Sequence, residues 1–159
     1  MNIGAMKDEE LLQLFKNAGR ILSNGPNAKA ESVVADIELE WKRRIDLARV
    51  GQYTYQSPSE GMLATLGYHV GNTEGESTPI RRLILKHLME RQLPLVKSPI
   101  YTDEWGTPNS PKRYYKLIRV LESQLTNPHA INAPNMARAM IEWSEDLDWV
   151  QKTFSHLAR

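Results

Sequence analysis

Apolar residues along the chain recur at three- and four-residue spacing and seldom alternate, so the pattern predicts helices and very little strand. The first helix is predicted over Asp8–Ser23, with Leu11, Phe15, Ala18 and Leu22 on one face. Asp8, Glu9 and Glu10 occupy its first turn, where the aligned peptide dipoles favour anions. Asn24-Gly25-Pro26 then combines a left-handed stop with a helix breaker. A second helix follows Asn27 and reaches about Val50, with Val34, Ile37, Trp41, Ile45 and Ala48 inward. Glu38–Lys42 and Glu40–Arg44 are i,i+4 pairs in the favourable order. Gly51 ends it, and Gln52–Ser57 reads as a short linker.

A short helix is predicted from Ser59 to Leu66, stopped by Gly67. Thr78-Pro79 is a start signal, a capping hydroxyl followed by proline. The helix behind it runs from Pro79 to about Arg91 and buries Ile80, Ile84 and Leu88. Leu93 to Ser110 reads as a loop carrying Tyr101 and Trp105, long for a compact domain. Ser110-Pro111 repeats the start signal and opens a helix to about Leu125.

The last helix is predicted over Asn132–Leu157. Met136, Met140, Trp143, Leu147, Val150, Phe154 and Leu157 make a seam of alternating four- and three-residue steps. Such a seam packs on neighbouring helices or on a second copy in a homodimer. Opposite it lie Glu142, Glu145, Asp148 and Trp149, and a tryptophan on an acidic face marks Trp149 and Glu145 as candidates for binding a protein partner.

The expected fold is therefore all-α: a compact bundle of five or six helices with a long Pro/Gly-punctuated loop. A length of 159 residues fits one domain. Within it, residues 1–60 form the N-terminal helices, 61–126 a basic central unit and 132–157 the long C-terminal helix. Apolar residues at 41% and charged residues at 25% argue against a disordered tail or a membrane span. The absence of cysteine removes disulfides, thiolate catalysis and iron–sulfur clusters. The first 20 residues carry three acids and no long apolar run, so a cytoplasmic protein is expected.

A net charge of +1 conceals an uneven distribution. Residues 79–119 hold nine cations against Glu90, Asp103 and Glu104. At 100° per residue, Lys112, Lys116 and Arg119 share one side of their helix, with Tyr115 at the edge. Tyr114, Ile118, Leu121 and Leu125 fall on the other side. Arg81, Arg82, Lys112 and Arg113 lie in the first turns of their helices, where cations oppose the macrodipole unless an anion docks there. Phosphates of DNA or RNA meeting Arg81, Arg82, Lys112, Arg113, Lys116 and Arg119, with Tyr115 stacking, would resolve that conflict. The alternative is a solvated basic face that pairs with the acids of the last helix.

Other chemistry finds little support. The glycines of Gly67–Gly75 match neither a dinucleotide-binding fingerprint nor a P-loop and read as a helix stop with a turn-rich connector. His69, His87, His129 and His156 form no metal-ligand spacing, so neither a metal nor another cofactor is expected. Arg82 and His87 form an Arg-x4-His pattern superficially like that of all-helical HEPN ribonucleases, although residues five apart diverge by about 140° on an unbroken helix. No catalytic residue is assigned.

Four segments carry a resemblance: Gly61–Gly71 (GMLATLGYHVG), Arg81–Leu85 (RRLIL), Tyr101–Arg113 (YTDEWGTPNSPKR) and Ile141–Val150 (IEWSEDLDWV). Together, over Gly61–Val150, they resemble a small bacterial domain of unknown function. The resemblance implies no activity. It implies that the Gly-Tyr-His-Val-Gly turn, the arginine pair and the Trp-Gly-Thr-Pro loop form one structural unit, with Gly67, Trp105 and Gly106 as scaffold. The function expected from the sequence is a small non-enzymatic nucleic-acid-binding module, with a protein-interaction adaptor, inhibitor or assembly subunit as the competing class and a HEPN-like ribonuclease third.

Overall fold

The computed structural model of the protein describes residues 1–55 and 60–158. Among these residues there are eight α-helices and no strand, so the fold is all-α. In chain order they are α1 (Asp8–Leu22), α2 (Ala28–Arg49), α3 (Met62–Thr65), α4 (Thr78–Glu90), α5 (Pro99–Asp103), α6 (Pro111–Leu125), α7 (Pro128–Ile131) and α8 (Ala137–Phe154). Short 3-10 turns lie at Ile3–Ala5, Pro134–Met136 and Ser155–Leu157. Five helices are long and three are single turns, so the bundle of long helices is the one expected.

Local signals set the ends of the long helices. Asn27 caps α2 by accepting from the Ala30 amide, and Ser110 caps α6 by accepting from the Arg113 amide. Glycines in the left-handed region follow α1, α2 and α3, at Gly25, Gly51 and Gly67. The expected short helix shrinks to Met62–Thr65. Its proposed start at Ser59 and the linker end at Gln56 and Ser57 lie outside the described residues.

One continuous apolar core joins these elements. Leu11, Phe15 and Ala18 of α1 meet Val34, Ile37 and Trp41 of α2, and Leu85, Leu88 and Met89 of α4 close over them. Leu117, Ile118 and Leu121 of α6 and Val150 and Phe154 of α8 complete it. The stretch from Leu93 to Ser110 is no open loop: it contains α5, and it drives Leu93, Leu95, Val96 and Trp105 into the interior.

The last helix departs from expectation in two ways. It starts at Ala137, because Pro128 and Pro134 break the segment ahead of it into α7 and a 3-10 turn. Its N-terminal half is also rotated. Ala139, Glu142 and Asp146 face inward, while Met140, Trp143 and Leu147 of the apolar seam are half-buried. Only Val150, Phe154 and Leu157 enter the core, and they do so within the same chain, packing beside α6.

Candidate functional site

The rotation of α8 has an ionic cause. Arg81 of α4 is 1% exposed, and its guanidinium needs carboxylates inside the protein. Asp146, fully buried, accepts from Arg81 Nε at 2.8 Å, from Arg82 Nε at 3.0 Å and from the Tyr68 hydroxyl at 2.6 Å. Glu142 accepts from Arg81 Nη1 at 2.8 Å and from the Gly71 amide at 2.8 Å. Burial works against the Arg81 charge, yet Asp146 and Glu142 outweigh it and hold the guanidinium above its ordinary range. Burial, with Asp146 alongside, pushes the Tyr68 phenol up. Glu142, read from the sequence as an outward acid, is thus an interior one.

These contacts revise the expected nucleic-acid surface. Arg81 cannot meet a phosphate, because its donors are committed inside the protein. Arg113 is 3% exposed and donates to the carbonyls of Leu88 and Arg91, so it closes the C-terminal end of α4. With no carboxylate beside it, burial lowers its pKa to about 10. Arg82 is partly exposed but tied to Asp146, and it lies 5.1 Å over the Trp149 ring. Three of the four cations that opposed the dipoles of α4 and α6 are therefore answered by the protein itself, Arg81 and Arg82 by last-helix acids and Arg113 by backbone carbonyls.

What remains on the surface of α6 is a stripe of Lys112, Tyr115, Lys116 and Arg119. Lys112, Tyr115 and Arg119 are exposed, while Lys116 is half-buried. Two of the four are held in place. The Lys112 stem lies across Gly106, where a Cβ would come within 2.9 Å of it. Lys116 sits 5.7 Å over the Trp105 ring and 3.5 Å from Glu104. Tyr115 stands edge-on to the buried Tyr114, with ring centroids 5.4 Å apart.

The other candidates are dispersed. Trp149 is half-buried, covered on one face by Arg82 and met at 5.7 Å by Phe154, whereas Glu145 is exposed. His87 turns away from Arg82 toward α1 and α2. Its ring packs edge-on to Phe15 at 4.8 Å, and its Nε2 lies 3.0 Å from the Gln92 carbonyl. Burial lowers its pKa to about 4, so it is neutral at pH 7. Arg82 and His87 thus share no site. Among the described residues no cluster of side chains could hold a metal ion, and no helix is long and apolar enough to cross a membrane.

One cavity is a feature that periodicity did not reveal. A groove of about 590 Å³ runs between α1, the N-terminal half of α2 and α4. Phe15, Leu22, Val34, Leu66, Ile80, Leu83 and Ile84 give it an apolar floor. On its rim, Arg20 pairs with Glu76 at 3.2 Å, and Arg91 is bound to Glu38 of α2. Lys16 and Lys86, and Glu31 and Glu90, form no ion pair among the described residues. Gly19, in the last turn of α1, is among the residues that line it.

No protein-family model, curated protein or solved structure matches the chain. Within Gly61–Val150 two groups of residues hold elements together. Tyr68, Gly71, Arg81, Glu142 and Asp146 lock the central turn and α4 onto α8, while Trp105, Ser110 and Arg113 seat the start of α6.

Proposed function

We propose that the protein is a non-catalytic interaction module that seats an amphipathic helix of a protein partner in the groove between α1, α2 and α4. The observation that carries this reading is the groove itself, an apolar cleft of about 590 Å³ bounded by helices. An apolar floor flanked by charge is the receptor side of helix-in-groove recognition. The charges left uncommitted on the rim are two lysines and two glutamates, which suit a helix with flanks of both signs and near-zero net charge better than a polyanion. Against this, the basic surface expected from the sequence has lost Arg81 and Arg113 to the interior.

The test is a selection of displayed amphipathic helical peptides against the purified protein. Binders are expected to carry apolar anchors at i, i+3, i+4 and i+7. They should shift the methyl NMR signals of Val34, Leu83 and Ile84 and be lost on Leu83→Glu. A library that yields no binder, or binders that shift signals elsewhere, overturns the assignment.

A second reading has its own support. The α6 stripe of Lys112, Tyr115, Lys116 and Arg119 is pre-ordered by Gly106, Trp105 and Tyr114, and it suits a single strand of RNA or DNA, with cations on phosphates and Tyr115 on a base. Binding of labelled single strands should fall steeply between about 50 and 200 mM salt and vanish when Lys112 and Arg119 are reversed to Glu. Affinity unchanged by that reversal removes this reading.

A further inference from the structure

The face of α4 that carries Ile80, Leu83 and Ile84 into the groove brings His87 there one turn later. The His87 side chain is 7% exposed and wedged edge-on against two aromatic rings, Phe15 at 4.8 Å and Trp41 at 6.1 Å between centroids. Its Nε2 lies 3.0 Å from the Gln92 carbonyl oxygen. A carbonyl can only accept, so Nε2 carries the proton and donates. The ring is neutral at pH 7, because burial lowers its pKa to about 4. Nδ1 is therefore an acceptor whose tautomer and orientation are both fixed.

That acceptor has no hydrogen-bond partner among the described residues. Nor is it sealed off. The described side-chain atoms that are closed to solvent and lack a partner are Thr65 Oγ1, Trp105 Nε1 and Arg113 Nε. Nδ1 is thus reached from outside a side chain that is more than nine-tenths buried, and the opening that His87 lines is the groove. An apolar site with one convergent polar atom takes a ligand that is mostly apolar and carries one matching donor.

The surroundings narrow the donor. Arg91 and Arg113 lie close enough to oppose positive charge at the ring, so a neutral donor fits better than a lysine or arginine. The floor beside it, formed by Phe15, Val34 and Ile84, calls for a large apolar body. Tryptophan and tyrosine combine the two properties. The indole N–H only donates, whereas a phenol oxygen would bring further lone pairs into the floor. Resting on the groove reading above, we infer that His87 is the specificity-determining acceptor of the groove, and that the central anchor of the partner helix is a tryptophan whose indole N–H donates to His87 Nδ1.

The experiment is a double-mutant cycle. Affinity is measured for a groove-binding helical peptide, selected as above, and for its Trp→Phe analogue, each against the wild-type protein and His87→Phe. Thermal unfolding checks that the variant folds. Selection is expected to enrich tryptophan at the central anchor. Trp→Phe should weaken binding to the wild type about tenfold to a hundredfold, since it leaves Nδ1 buried and unpaired. Against His87→Phe the same change should matter less than about threefold. Groove binders with leucine or phenylalanine at that anchor, or an equal Trp→Phe loss on both proteins, overturn the acceptor while leaving the groove intact. If no peptide binds at the groove, the groove reading itself fails. Should His87→Phe fail to fold, the Nδ1 nitrogen NMR signal of the wild type decides: it shifts with the tryptophan peptide and not with its analogue, and equal shifts overturn the inference.

Discussion

Removing the Asp146 carboxylate is the sharpest test of the ionic lock between α4 and α8. In Asp146→Ala, Arg81 Nε, Arg82 Nε and the Tyr68 hydroxyl all lose their acceptor. Arg81 stays inside the protein at 1% exposure with Glu142, the Glu76 carbonyl and the Thr78 hydroxyl as remaining partners. Removing one member of a buried ion pair costs about 3–5 kcal/mol, because the other charge is stranded. The remaining Glu142 contact places the expected loss near the lower end, about 3 kcal/mol, on a typical total stability of about 5–15 kcal/mol. Urea unfolding at pH 7 should show a lower midpoint with an unchanged slope, and the melting temperature should fall by roughly 6–12 °C. The combined variant Tyr68→Phe, Arg81→Met, Glu142→Gln and Asp146→Leu removes the buried charges and the stranded hydroxyl together and should recover part of the loss, since well-packed apolar replacements of buried ion pairs are often neutral. A single-variant loss below about 1 kcal/mol refutes the lock.

Three further outcomes follow from other sites. His87 has a folded pKa of about 4 against an ordinary value of 6.5, so the unfolded chain takes up its proton first. Its contribution is complete above pH 6.5 and is lost as pH falls toward 4, about 2 kcal/mol of it between pH 6.5 and 5, and His87→Phe should flatten that slope in a pH series of urea melts. Gly106→Ala places a Cβ at φ +72° and 2.9 Å from Lys112, so it should destabilise by about 1–2 kcal/mol and broaden the Lys112 NMR signals. Arg113→Ala should cost about 2–4 kcal/mol through two lost charged hydrogen bonds at the end of α4, and hydrogen exchange should then speed up in the last turn of α4 before the rest.

Much of the scaffold was legible from local signals. The inward faces of α1 and α2 follow from helical spacing, since Leu11, Phe15, Ala18, Val34, Ile37, Trp41 and Ile45 are all buried. The Ser110-Pro111 start and the glycine stops after α1, α2 and α3 lie where their chemistry demands. On α6, the division between Tyr114, Ile118 and Leu121 inside and Lys112 and Arg119 outside also matches the pattern.

The sequence by itself determined helix positions, because capping, propensity and a 3.6-residue period act over a few neighbouring residues. It could not decide which charges go inside. Arg81 is buried because Asp146, 65 residues away, reaches it, and the same pairing turned the N-terminal half of α8 so that Glu142 and Asp146 rather than Met140 and Trp143 face inward. Arg113 looked like a surface cation because its partners are the Leu88 and Arg91 carbonyls, backbone atoms that no side-chain pattern records. The groove, too, belongs to tertiary structure: it exists only where α1, α2 and α4 meet with space between them. Helix periodicity is a local property, whereas the burial of a charge or the opening of a cleft depends on distant segments meeting in space.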